Sequence, residues 1–85
     1  YYFEVKPATF TQIRDGDVNI EVTLKFTNIQ KKRIKMDING HIDTVETDKM
    51  SFTKNINSRV SQGNNFVRLE PLEDIEVAEL RVELA

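Results

Sequence analysis

The chain has no cysteine, no tryptophan and a single histidine, His41. Without cysteine no disulfide can staple the fold, and no thiolate is available as nucleophile or metal ligand. One histidine and no thiol leave little for a transition metal to bind. The absence of tryptophan removes the most effective sugar-stacking side chain. Unbroken apolar runs reach only two or three residues, so no segment reads as a membrane span or a signal peptide. No N-x-[ST] acceptor is present, so glycosylation gives no clue to compartment. The charge is balanced, with 12 basic and 14 acidic residues and a net charge of −2, which speaks against a nucleic-acid binder.

What remains is a chain of 85 residues, enough for one domain and one core. It opens on Tyr1 rather than Met, and the expectation is a domain taken from a larger protein. No internal repeat, low-complexity tract or linker divides it.

Strand signals dominate. From Asp17 to Ile29, Val18, Ile20, Val22, Leu24 and Phe26 alternate with Asn19, Glu21, Thr23, Lys25 and Thr27. Such alternation predicts a strand with one buried and one wet face. Tyr1, Phe3 and Val5 alternate in the same way, and Pro7 ends that run. Phe10 and Ile13 then lead to Asp15-Gly16-Asp17, a turn signal. Ile34, Met36 and Ile38 run into Asn39-Gly40, the strongest short hairpin signal, because both residues tolerate positive φ.

Ile42 and Val45 follow at a looser spacing, and Thr47 to Met50 reads as a loop. Met50, Phe52 and Ile56 share one parity, with Lys54 intruding. Gly63-Asn64-Asn65 reads as a turn, Phe66 to Leu69 as a short strand closed by Pro71. Ala78, Leu80, Val82 and Leu84 point inward on the last strand. Ile75 and Val77 have the opposite parity, which predicts a bulge at Val77-Ala78. Asn55 to Gln62 is the one place where a helical turn is expected. The fold class that follows is all-β, a two-sheet antiparallel sandwich of about seven strands, jelly-roll or immunoglobulin-like.

Catalytic chemistry finds little support. His41 directly follows a hairpin turn, where exposure is the ordinary outcome, and Ser51, Ser58 and Ser61 stand in polar contexts. Paired carboxylates of a glycosidase need a cleft that a domain this small lacks. No enzyme activity and no cofactor are expected. Asp15 and Asp17 are the weak calcium candidates, with Asp43, Glu46 and Asp48 a second acidic stretch. Neither has the EF-hand spacing, and turn chemistry alone explains Asp-Gly-Asp, so no metal is assigned. Lys31-Lys32-Arg33, beside Lys35, could meet phosphate or an anionic glycan, but a solvated turn or a charge-guarded edge accounts for it.

Phe3, Phe10, Phe26 and Phe52 sit at apolar-face positions and belong to the core. Phe66 opposes Val67 and Leu69 in parity, so exposure is expected, and Tyr1 and Tyr2 lie at the terminus. These three are the candidate partner-binding residues, toward a neighbouring protein domain or subunit, with a glycan as the alternative. No nucleic-acid partner and no membrane insertion are expected.

Four stretches carry a family resemblance: I-K-M-D-I-N-G-H-I from Ile34 to Ile42, S-F-T-K-N-I from Ser51 to Ile56, Q-G-N-N-F-V-R-L-E-P from Gln62 to Pro71 and A-E-L-R-V-E-L from Ala78 to Leu84. Over residues 17 to 84 the chain resembles the jelly-roll sandwiches of galactose-binding-like accessory modules and of phage tail proteins. An immunoglobulin-like sandwich of adhesins or cell-surface proteins fits the strand count equally well. The chain lacks the aromatic and calcium-site residues that the accessory modules use for sugars. The resemblance therefore implies an accessory or structural module of a larger extracellular, cell-surface or virion protein, with carbohydrate binding as the alternative function.

Overall fold

The computed structural model describes residues 1–85. In chain order the elements are β1 (Tyr2–Val5), α1 (Pro7–Asp15), β2 (Ile20–Phe26), β3 (Lys32–Ile38), β4 (His41–Thr47), β5 (Ser51–Asn55), β6 (Gly63–Pro71) and β7 (Val77–Leu84). They form two antiparallel sheets, one ordered β1-β6-β3-β4 and the other β5-β2-β7. The chain changes sheet at every connection except the β3–β4 hairpin.

That hairpin turns as Asn39-Gly40 requires, with φ of 54° and 91°. Two successive positive φ values make a type I′ turn, whose twist matches the flanking strands. β2 is the central strand of its sheet and carries the heart of the core. Ile20, Val22, Leu24 and Phe26 are all buried, as their alternation requires. Val18 precedes the strand and is only half-buried. Facing them are Ile34, Met36 and Ile38 of β3, Val45 of β4 and Val67 of β6. Full burial of a side chain such as Leu24 contributes about 1.5–3 kcal/mol relative to exposure.

The helix is the main departure from the expected all-strand reading. Pro7 ends β1, but it also opens α1 at its first position, where a missing N–H costs nothing. Phe10 and Ile13, three residues apart, turn onto the core, with Ile13 buried. Asp15-Gly16-Asp17 does turn the chain, as the end of this helix. Gly16 has φ 84°, its N–H reaches the Ile13 carbonyl at 3.2 Å, and the Asp17 N–H reaches the Gln12 carbonyl at 2.9 Å. Two such bonds around a left-handed glycine are a Schellman motif. The stretch Asn55–Gln62 holds one hydrogen-bonded turn, Arg59 N–H to Ile56 carbonyl at 2.9 Å, and no helix.

Gly63-Asn64-Asn65 is also corrected, from turn to strand. These residues begin β6, which is nine residues long and changes partners midway. Gly63 to Phe66 pair with β1, and Val67 to Pro71 pair with β3. Asn39 stands at the changeover. Its N–H donates to the Phe66 carbonyl (3.3 Å), and its side-chain oxygen accepts the Phe66 N–H (3.0 Å), extending the ladder one step past β3. Asn65 is buried beneath this point, and its amide donates to the carbonyls of Ser61 and Gly63, each at 2.9 Å. Its oxygen accepts from the Ser61 N–H and the Asn39 amide. A buried asparagine survives only when so satisfied.

On β7 the register passes from Lys25↔Glu79 to Phe26↔Val77, so Ala78 has no partner. The bulge lies where the change of parity placed it. Of the four residues expected inward, Leu80 and Val82 are half-buried, while Ala78 and Leu84 are exposed. Ala78 is the bulge residue, and Leu84 sits at the free end of an edge strand.

Candidate interaction surface

β1 and β7 are the outer strands of their sheets on the same side of the sandwich. Two shallow grooves run between them. One is lined by Tyr1, Tyr2, Phe66, Leu69 and Leu80, together with Val67 and Arg68. The other lies among Phe3, Val5, Ile20, Val82 and Leu84, together with Thr9 and the charged Glu4, Lys6 and Glu83. Their volumes, about 390 and 300 Å³, fall at the small end of ligand sites, and both are open to solvent.

The three candidate residues are brought to this side. Tyr2 and Phe66 are cross-strand partners on the outer face of the β1/β6 pair, with ring centroids 6.5 Å apart and planes tilted by 54°. Tyr2 is 85% exposed and Tyr1 55% exposed, whereas Phe66 is half-buried rather than exposed. The Tyr2 ring covers part of it, which is why strand parity alone overstated its exposure. Tyr1 leans instead on Phe3, at 6.3 Å between centroids.

The backbone of this side is equally open. Asn19 and Ala85 exchange two N–H···O bonds, at 3.1 and 2.8 Å. In an antiparallel ladder such pairs alternate, so Glu83, Arg81 and Glu79 also turn their backbone groups toward β2. Leu84, Val82 and Leu80 therefore turn theirs away from the sheet. On β1 the bonds between Tyr1 and Val67 fix the same alternation, leaving Tyr2 and Glu4 with outward groups. Leu80, Val82 and Leu84 were legible as an apolar stripe. That their strand is an edge was not, because pairing order is not written in local sequence.

The other candidates lie elsewhere. Asp15 and Asp17 flank the left-handed Gly16 at the helix end, and the Asp15 carboxylate is 3.3 Å from the Arg14 guanidinium. Acidic and histidine side chains nowhere gather in threes close enough to hold a metal ion. His41 is exposed at the start of β4, and the Ser61 hydroxyl is directed at Asn65 (3.4 Å).

The basic cluster is dispersed by the fold. β3 is an interior strand, so the charges do not guard an edge there. Lys31 pairs with Glu46 at 2.7 Å and Arg33 with Glu73 at 2.8 Å. The hydrogen bond and charge of Glu46 hold the Lys31 ammonium above its ordinary pKa, and the same bond holds the Glu46 carboxyl below its own. Lys32 is only 3% exposed. Its ammonium donates to the Gln30 carbonyl at 2.6 Å and lies 4.9 Å from the centre of the Phe26 ring. Buried in this way, it is a structural cation rather than a contact for phosphate.

Comparison with protein-family models, curated proteins and solved structures finds no match to this chain.

Proposed function

We propose that this domain is a non-catalytic structural or protein-interaction module of a larger extracellular, cell-surface or virion protein, and that it engages its partner through the β1/β7 side. The observation that carries this reading is the coincidence there of open backbone edges with an apolar seam. Unpaired strand edges and exposed apolar surface are the two features that protein partners cover. Tyr1, Tyr2 and Phe66 line the upper groove of that seam. The setting on a cell surface or virion rests on the resemblance alone. Within that resemblance the strand order favours the jelly-roll side. An immunoglobulin constant-type sandwich keeps its first two strands paired in one sheet, whereas here β1 and β2 lie in different sheets.

Carbohydrate binding is the second reading, favoured by the exposed Tyr2 ring beside Phe66 and Arg68. The tilt between the two rings speaks against it, because a pyranose stacks on a flat platform. A glycan array probed with the purified domain separates the two. The expected result is no specific binding, with Tyr2→Ala weakening association with a neighbouring domain or subunit while leaving the fold intact. Saturable glycan binding that disappears with Phe66→Ala or Tyr2→Ala would make carbohydrate recognition the leading function.

A further inference from the structure

We infer that β7 is a self-association edge: two copies of the chain pair their β7 strands antiparallel about a two-fold axis through Val82, joining two three-stranded sheets into one. This rests on the reading of the domain as a protein-contact module and names its partner as a second copy.

The direction of the backbone groups comes first. Leu80, Val82 and Leu84 present unbonded N–H and C=O groups along the free edge of an eight-residue strand. Nothing in the strand itself blunts that edge over Glu79–Ala85, and across the groove from Val82 and Leu84 stand Phe3, Val5, Lys6 and Thr9. The edge has no proline and no inward-pointing charge, and the bulge lies before it, at Ala78.

Register comes second, and charge selects it. Because the outward groups belong to Leu80, Val82 and Leu84, these residues must pair among themselves across the axis. Four two-fold axes lie along Leu80 to Glu83, and only one pairs all three in this way; the axis through Glu83 sets Glu83 against itself. An axis through Arg81 sets Arg81 against itself and Glu79 against Glu83, a row of like charges. An axis through Leu80 runs the pairing into the bulge and leaves Leu84 facing Glu76. An axis through Val82 sets Leu80 opposite Leu84, Val82 opposite itself, and Arg81 opposite Glu83 twice over. Apolar residues then meet on the core side and opposite charges on the solvent side.

The isolated chain also leaves Glu83 badly placed. Across the β2–β7 ladder it stands opposite Glu21, a like-charge pair, and its one cation is Arg81 of its own strand at 3.3 Å. Glu79, by contrast, is already answered by Lys25 at 3.4 Å. The Val82 register brings a second arginine to Glu83 and leaves Glu79 with its lysine. The grooves agree with this geometry. Leu80 lines one and Leu84 the other, so the axis that sets Leu80 against Leu84 carries each groove toward the unlike groove of the second copy.

Sedimentation equilibrium of the 85-residue chain, from about 10 µM to about 1 mM, reads the association directly, since an interface this small is expected to be weak. The expected result is a reversible monomer–dimer equilibrium. Arg81→Glu and Glu83→Arg each place like charges opposite one another twice, and each should weaken the dimer by about tenfold or more. An equimolar mixture of the two variants restores opposite charges at every facing position and should dimerise as well as the original chain. A variant that had merely lost its fold would not be rescued by mixing, and cooperative thermal unfolding of each variant confirms that neither has. A chain monomeric throughout, a dimer indifferent to both reversals, or a mixture that is not rescued overturns self-pairing through β7. A monomer that binds a different protein through this side sinks the self-pairing and leaves the module reading standing. Specific glycan binding on the array sinks the module reading itself.

Discussion

The two flanks of the sandwich meet solvent with opposite chemistry. On one, β4 and β5 are joined by Asp43, whose carboxylate lies 3.5 Å from the Lys54 ammonium and 3.3 Å from the Arg59 guanidinium. Asp43 is the cross-strand partner of buried Met36, and Lys54 of buried Val22, so both point inward. On the other flank no ion pair joins β1 to β7. Inward charge at a sheet edge discourages a further strand from adding, since the newcomer would have to bury it. The β4/β5 flank is therefore defended and the β1/β7 flank is not. In sequence the same contrast shows as Lys54 intruding on an apolar parity, against the clean alternation of Leu80-Arg81-Val82-Glu83-Leu84.

The largest effect should come from the core that both flanks enclose. Phe26→Ala removes a buried ring from the central strand and the surface on which the Lys32 ammonium rests. It should cost about 3–5 kcal/mol, as large-to-small core changes do, measured by urea unfolding. A loss below about 1 kcal/mol would mean that the inward face of β2 is wet and that the assigned register is wrong.

A smaller effect tests the contrast itself. Asp43→Ala leaves two partly buried cations without their carboxylate, and about 1–2 kcal/mol of stability should go, short of the cost at a fully buried pair. Tyr2→Ala on the opposite flank removes a ring that is mostly in water, and should cost about 0.5 kcal/mol or less. Equal losses at the two positions would show that the flanks do not differ in the way the side chains suggest.

How far this was legible depends on whether the signal is local. Strand β2, the Asn39-Gly40 turn and the bulge at Ala78 are set by neighbouring residues, and each could be read from parity or turn chemistry. The helix was missed because its apolar signal is two residues, Phe10 and Ile13, and because Pro7 serves equally as a strand terminator and a helix opener. Gly63-Asn64-Asn65 looked like a turn because its pairing partner, β1, lies some sixty residues earlier in the chain. Lys32 looked like surface charge, and its burial depends on the Gln30 and Lys49 carbonyls and the Phe26 ring converging on one point. Of the candidate surface, Tyr1, Tyr2 and Phe66 were found from position and parity. The β7 half was not, because an apolar stripe reads as core until the strand order shows that its edge is free.

The smallest effect belongs to the outward charges of the defended flank. Glu46 lies on β4 like Asp43, but it points to solvent and meets Lys31 there. The hydrogen bond from Lys31, and then its charge, lowers the Glu46 pKa below the ordinary 4.5. A carboxyl whose folded pKa is depressed contributes stability above its unfolded pKa and loses it as pH falls through the folded value. Lys31 has the opposite sign. Raised above 10.5 by Glu46, its share holds through neutral pH and is lost in strong alkali, and in acid it goes with the Glu46 charge. Both groups are exposed, so solvent and salt screen the pair. Glu46→Gln should therefore lower the thermal midpoint at pH 7 by no more than about one degree. The difference from the original chain should shrink to nothing as pH falls below the Glu46 transition, and high salt should shrink it at pH 7. A midpoint drop of several degrees at pH 7, persisting in acid, would mean that Glu46 holds β4 by something other than its charge. The outer face of that flank would then matter as much as the inward pair at Asp43.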